Sequence, residues 1–216
     1  MPIEIFDYRR DLKNVLVSST IRGRFLRHEP GEVGPFHSHD VGDEIFLILE
    51  GRCEFTIEGE VAVLGPGELC VARPNQRHQI RVVGDEPMTM FLAVSPHLEP
   101  THTFWDDAGN RLPATYNMTT AAEYAAVTER PSLGDQISGL SLHLSVLVDS
   151  ARTASSVFDD LSGDLESGGA EARVALDEAQ VVVAELHRRL FAMDEVWNDL
   201  AARVHEEADG RDNMRS

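Results

Sequence analysis

The chain is short of positive charge. Its 19 Lys+Arg stand against 37 Asp+Glu, a formal net charge of -18. That balance repels phosphate backbones and anionic lipid, so neither nucleic acid nor a membrane surface is expected as a partner. It also keeps a protein soluble, with no acid-specific role required. Lysine is nearly missing: Lys13 alone would have to serve a Schiff-base or lysine general-base mechanism. Cysteine is scarce too. Cys53 and Cys70 show no CxxC spacing and no secretory context, which reads as two small buried hydrophobes rather than a disulfide or redox pair. No apolar run approaches the ~20 residues of a membrane span, and no N-terminal apolar h-region is seen, so a cytoplasmic location is expected.

What is present divides in two. From residue 14 to about 95 the chain reads as short alternating runs punctuated by glycine and proline: VLVSSTIRGRFLRH, EIFLILEG, RCEFTIEG, VAVLGPGELCVA, HQIRVV and MTMFLAV. Strands at spacings of ~8 to 12 residues with turn signals between them predict a sandwich or barrel. Residues 1–100 are assigned to this β-domain. Residues 101–131 read as a connection containing a short helix, TTAAEYAAVTER, capped by Thr119 or Thr120.

Beyond Pro131 the period is helical. Leu133, Ile137, Leu140, Leu144, Leu147, Ala151, Ala154, Phe158 and Leu161 step by four and three. After the breaker SGDLESGG, a second seam runs Ala172, Leu176, Ala179, Val183, Leu186, Leu190, Met193, Trp197, Leu200, Val204. Two such helices predict an antiparallel hairpin over 132–208, roughly 40 to 50 Å long, followed by a disordered tail at 209–216. Stripes of that length exceed what a small barrel covers, so a homodimer built partly on the hairpin is expected. His143, His187 and His205 lie off the seams and read as exposed.

The chemistry gathers in GEVGPFHSHDVGDEIFLILEG, residues 31–51. On a strand His37 and His39 share a face and can meet one ion. Glu44 follows at odd spacing, so a turn must intervene, and Gly42 can supply it through a positive φ. Glu44, Phe46 and Ile48 then face inward, while Ile45, Leu47 and Leu49 make the other face apolar too, as in a strand buried on both sides. His78, after a proline and asparagine turn, is the expected fourth ligand. Three imidazoles and one carboxylate suit one divalent transition metal such as Fe, Mn, Ni or Zn, with positions left open.

The order Gly31, His37-x-His39, Glu44, Gly51 resembles the first cupin motif, G(x)5HxH(x)3-4E(x)6G, at every fixed position. Gly59, Leu64, Gly67-Glu68 and Arg73 to His78 resemble the second motif more loosely. Arg73 stands where its proline is usual, with Pro74 one position late; Asn75 replaces its glycine; its final asparagine is absent. The resemblance covers about residues 15–97. It implies a double-stranded β-helix (jelly-roll) barrel, commonly dimeric, holding one metal through His37, His39, Glu44 and His78.

For function, Phe46, Ile48, Val82, Met90 and Leu92 are expected to line a largely apolar pocket, which suits an oxygenase-type enzyme acting on a small organic molecule. Alternatives are a metal-dependent isomerase or lyase without redox chemistry, and a non-catalytic sensing module. Arg22 and Arg24 share a strand face; Ile21 and Phe25 occupy the opposite one, so the arginines are read as outward and solvated. An inward Arg24 or Arg81 would readmit an anionic substrate. His97 and His102 are candidate acid/base groups at the mouth.

Overall fold

The computed structural model describes residues 2–106, 108–116 and 131–213. The helix expected at 119–130 lies outside these. The described residues form two compact units: residues 2–116 with 201–213, and residues 131–200.

The first unit is built on ten strands: β1 (Asn14–Val17), β2 (Arg22–His28), β3 (His37–Ser38), β4 (Asp43–Glu50), β5 (Cys53–Ile57), β6 (Glu60–Leu64), β7 (Leu69–Ala72), β8 (His78–Val82), β9 (Met88–Ser95) and β10 (Thr103–Phe104). They make two antiparallel five-stranded sheets, ordered β1-β2-β9-β4-β7 and β10-β3-β8-β5-β6. This is the jelly-roll arrangement in which alternate residues of each strand meet in a shared interior. Phe46 and Ile48 of β4, Cys53 and Phe55 of β5, Val82 of β8 and Met88 and Met90 of β9 are buried together there. Burial also pushes both free thiols up, to about 12 for Cys53 and about 12 for Cys70, so both are inert packing groups.

Three details differ from the sequence reading. Residues 103–104, read as part of an irregular connection packing on the barrel, join its sheet: β10 pairs with β3, and Trp105 donates its indole N–H to Ser38 Oγ at 3.1 Å beneath the Arg77 guanidinium. A two-residue strand is too short to show alternation. The outer face of β4 is only partly covered, Ile45 being 37% exposed. And the SGDLESGG breaker is mostly helix. Ser162 and Ser167 bond back to the carbonyls of Asp159 and Asp164, and a single interior glycine, Gly163, costs only about 1 kcal/mol.

Helix α1 (Leu133–Ser167) therefore ends only at Gly168, whose φ of 74° few other residues adopt, and α2 (Gly169–Asn213) follows at once. At 35 and 45 residues they measure about 52 and 68 Å, longer than expected, and α2 runs five residues into the segment read as a disordered tail. Ser132 caps α1 in a capping box with Asp135. The helices run antiparallel, Gln136 near the start of α1 bonding Asp199 near the end of α2. His187 is exposed, but His143 and His205 are half-buried. For His143 the reason is that the packed face of α1 is centred one flank away from the expected seam. Among the described residues no helix is long and apolar enough to cross a membrane.

Candidate metal centre

The first motif folds as its chemistry requires. β3 ends at Ser38, the chain reverses, and β4 begins at Asp43, so Glu44 returns toward His37 and His39. Gly42 serves the reversal differently from expectation. Its φ lies outside the left-handed region; a Cβ there would sit 2.7 Å from Pro96 O and 2.8 Å from Val94 Cγ2, so it is close approach that demands glycine. Asn75 does adopt the left-handed turn, at φ 65°, and its N–H donates to His39 O at 2.7 Å, joining the two motif turns.

His37 and His78 pair directly across β3 and β8 of one sheet, while Glu44 lies on β4 of the other. The four side chains thus converge across the barrel interior, each offering one ligand atom within 4.8 Å of the rest. Glu44 Oε2 lies 2.6 Å from His39 Nε2, 2.9 Å from His78 Nε2 and 3.7 Å from His37 Nε2. Burial alone would raise the Glu44 pKa; its bonds to the three imidazoles overcome this and hold it well below the usual range, as a carboxylate.

The tautomers follow from the other ring nitrogens. His37 Nδ1 faces Pro35 O at 3.0 Å, His39 Nδ1 faces Thr101 O at 2.5 Å and His78 Nδ1 faces Gln76 O at 2.9 Å. A carbonyl only accepts, so each Nδ1 carries a proton, and an Nε2 that has given up its own, no longer donating to Glu44, presents its lone pair inward. Neutral imidazoles and a carboxylate then aim four electron pairs at one point; His37 Nε2 and His78 Nε2 are 3.1 Å apart. Such a set is mutually repulsive without a cation and well matched to one: the residues fit a divalent transition metal.

Beside the cluster is a cavity of about 240 Å³ lined by Arg22, Arg24, Leu26, His28, Gly34, Pro35, His37, Glu44, Phe46, Ile80, Leu92, His102 and Phe104. Of the expected apolar lining, Phe46 and Leu92 are there, and so is Arg24, the residue that would readmit an anionic substrate; Ile48, Val82 and Met90 sit deeper, in the sealed core. The outward reading of the arginines is corrected. Arg22, Arg24, Leu26 and His28 are the inward face of β2, and Arg22 is only 1% exposed. Phe25 turns outward because a separate aromatic cluster holds it, with ring centroids 5.6 Å from Phe91 and 6.2 Å from Tyr8. Burial lowers the pKa of both arginines, helped at Arg22 by the charge of Arg24. Arg81 is exposed, 3.7 Å from Glu54.

The two candidate acid/base histidines part company. His102 lines the cavity, its ring centroid 4.9 Å from that of His37 and 5.0 Å from that of His39. Its Nδ1 is buried without a partner, and burial, reinforced by His37 and Arg22, lowers its pKa to about 2. His97 is outside the lining: it is buried 3.4 Å from Glu99, a pairing that anchors the chain after β9. The sequence reading missed Arg22, Leu26, His28 and Phe104; the even-numbered column 22, 24, 26, 28 was the available signal.

Residues 24–95 match the Cupin domain family. Among curated proteins, the chain is 34% identical over 67 residues to the polyketide synthase CurC of Streptomyces cyaneus, covering 31% of this chain and 44% of that protein. It is 36% identical over 50 residues to the pectin degradation protein KdgF of Dickeya dadantii (strain 3937), covering 23% and 46%. The matches thus span less than half the length of either relative. Similar solved structures include a conserved protein with a double-stranded β-helix domain from Klebsiella pneumoniae subsp. pneumoniae MGH 78578, at 23% identity, 44% of this chain, 91% of that one and a TM-score of 0.42. TT1209 from Thermus thermophilus matches at 24% identity, 44% and 98% coverage, and a TM-score of 0.41.

Proposed function

We propose, on the premise that residues 24–95 of this chain are a cupin domain, that it is a metal-dependent enzyme turning over a small organic molecule by proton transfer, as an isomerase or lyase. The observation that carries this reading is His102: a neutral, buried imidazole with an unpartnered Nδ1 that lines the same cavity as His37 and Glu44. His37, His39, Glu44 and His78 would hold the metal, which when bound supplies Lewis-acid polarisation of a substrate oxygen. His102 would take a proton from a neighbouring carbon or oxygen and return it once an anionic substrate offsets the Arg22 charge and the burial that depress its pKa. Phe46, Leu92 and Phe104 limit water around that exchange.

The apolar wall also favours a second reading, an oxygenase acting on an apolar or aromatic substrate. One experiment separates them: elemental analysis of protein purified without added metal, combined with oxygen uptake and with deuterium incorporation from D2O, against catechols, keto acids and flavonols. Solvent-derived deuterium in substrate without uptake is expected. Iron or manganese with substrate-dependent uptake would replace the first reading by the second, and a retained small molecule with no turnover would make the domain a sensor.

A further inference from the structure

We propose that the cavity beside the four-ligand cluster binds the carboxylate of a small organic acid between Arg22 and Arg24. This names the substrate class of the site above and rests on that reading for the metal at the ligand's other end.

Arg22 is 1% exposed, yet among the described residues its guanidinium has no hydrogen-bond or ion-pair partner, and its Nε is sealed off without an acceptor. A buried cation left unpaired is among the heavier penalties a fold carries. Arg24 lies two residues along the same strand face, about 7 Å away, and lines the same cavity without an ion pair. Among the described residues no carboxylate bonds either guanidinium: Glu44, whose charge reaches both, lies against the three imidazoles, Glu99, whose charge also reaches Arg22, lies 3.4 Å from His97, and Glu32 pairs with His28 at 2.7 Å. With a divalent ion in place the cavity holds a net excess of positive charge between walls formed by Leu26, Phe46, Ile80 and Leu92. Two guanidiniums match the two oxygens of a carboxylate. The volume, about 240 Å³, is below that of pockets for drug-sized ligands and suits an acid of a few carbons.

The test is calorimetric titration of the metal-loaded protein, its metal content measured in parallel, with malonate, 2-oxoglutarate and benzoate, and with inorganic phosphate for comparison. Wild type is expected to bind at least one acid; Arg24→Met weakens it tenfold or more and Arg22→Met removes it, with metal content unchanged in both. Ligand-free Arg22→Met is also expected to melt above wild type, since it removes an unpaired buried cation. An arginine serving only packing would lower the melting point instead. Metal retained with all three acids indifferent, or with unchanged affinity in both variants, overturns the subsite. Binding of phosphate alone assigns the anion to a phosphate ester and overturns the carboxylate. Acid binding to protein that never retains metal leaves the subsite standing and sinks the metal reading.

A second observation is independent of the barrel. On α1 the seam positions Leu140, Leu147, Ala154 and Leu161 are half-buried or buried, as are Ala172, Ala179, Leu186, Met193 and Leu200 on α2. Of the remaining seam positions Leu133 and Trp197 are half-buried, and six large ones between residues 137 and 190 are exposed: Ile137 57%, Leu144 45%, Phe158 41%, Leu176 60%, Val183 38% and Leu190 39%. Because the helices are antiparallel, the position four residues beyond each packed one turns to the same side of the hairpin on both. One apolar face results. Its six large side chains expose about 500 Å², and two copies meeting there would cover about 1,000 Å², the threshold of a specific interface. We infer that this face pairs with the same face of a second copy of this chain. Sedimentation equilibrium of the full chain is expected to show a dimer that tightens severalfold from 0.1 to 0.5 M NaCl, since acidic flanks repel across it. The double variant Leu144→Ser, Leu176→Ser, helical by circular dichroism, should be monomeric. A dimer of unchanged affinity in that variant, or monomeric wild type at 100 µM, overturns the inference.

Discussion

Glu44→Gln and His39→Ala each lose metal, retaining less than a hundredth of the wild-type affinity in an equilibrium titration with Zn2+, Mn2+ or Fe2+. The expectation follows from the coordination chemistry. Loss of a mere outer partner of a ligand costs 10- to 100-fold, and here a donor itself is removed. Glu44 supplies the only formal negative charge in the cluster and lies within 3 Å of two of the imidazoles. The consequence extends to stability. A metal at 100 times its dissociation constant adds about 2.7 kcal/mol, worth about 5 to 10 °C of melting temperature at this chain length. That increment should vanish in both variants and persist in His187→Ala, whose histidine is exposed on α2. Full metal retention by Glu44→Gln would remove the foundation of the functional reading.

Gly51→Ala is expected to destabilise the barrel by about 3 to 4 kcal/mol in urea denaturation, where Gly59→Ala costs only about 1 to 2. Both glycines have positive φ, 70° and 83°, so both substitutions meet the left-handed penalty. They differ in surroundings. A Cβ on Gly51 would lie 2.5 Å from Pro87 O and 2.8 Å from Met88 Cα, whereas around Gly59 nothing lies within 4 Å. Met88 is fully buried at the start of β9, the strand that pairs Val94 with Glu44, so the backbone cannot yield at Gly51 without disturbing the core. Equal losses at the two positions would show that conformation alone matters.

How much of this was readable beforehand depends on the range over which each signal acts. The four convergent ligands were legible because their constraints are local: a two-residue strand period for His37 and His39, a short reversal to Glu44, and a turn at Pro74 and Asn75 before His78. The direction of β2 was not. Alternation divides Ile21 to His28 into two columns without saying which is inside, and the aromatic pair Phe25 and Phe91 made the outward column look like core. The hairpin shows the same limit. Heptad spacing located the apolar columns of both helices, but which flank packs depends on the partner helix, and so the expected seam is half covered and half open.

One property of the ligand cluster bears on how such a protein can change over generations. The proton on each imidazole is assigned by a main-chain carbonyl, of Pro35, Gln76 or Thr101, and not by any neighbouring side chain. Every residue supplying those oxygens could be exchanged for another, provided the trace of the chain is kept, and the ring orientation would survive. Surface and cavity are therefore at liberty to drift while the arrangement of the four side chains stays intact.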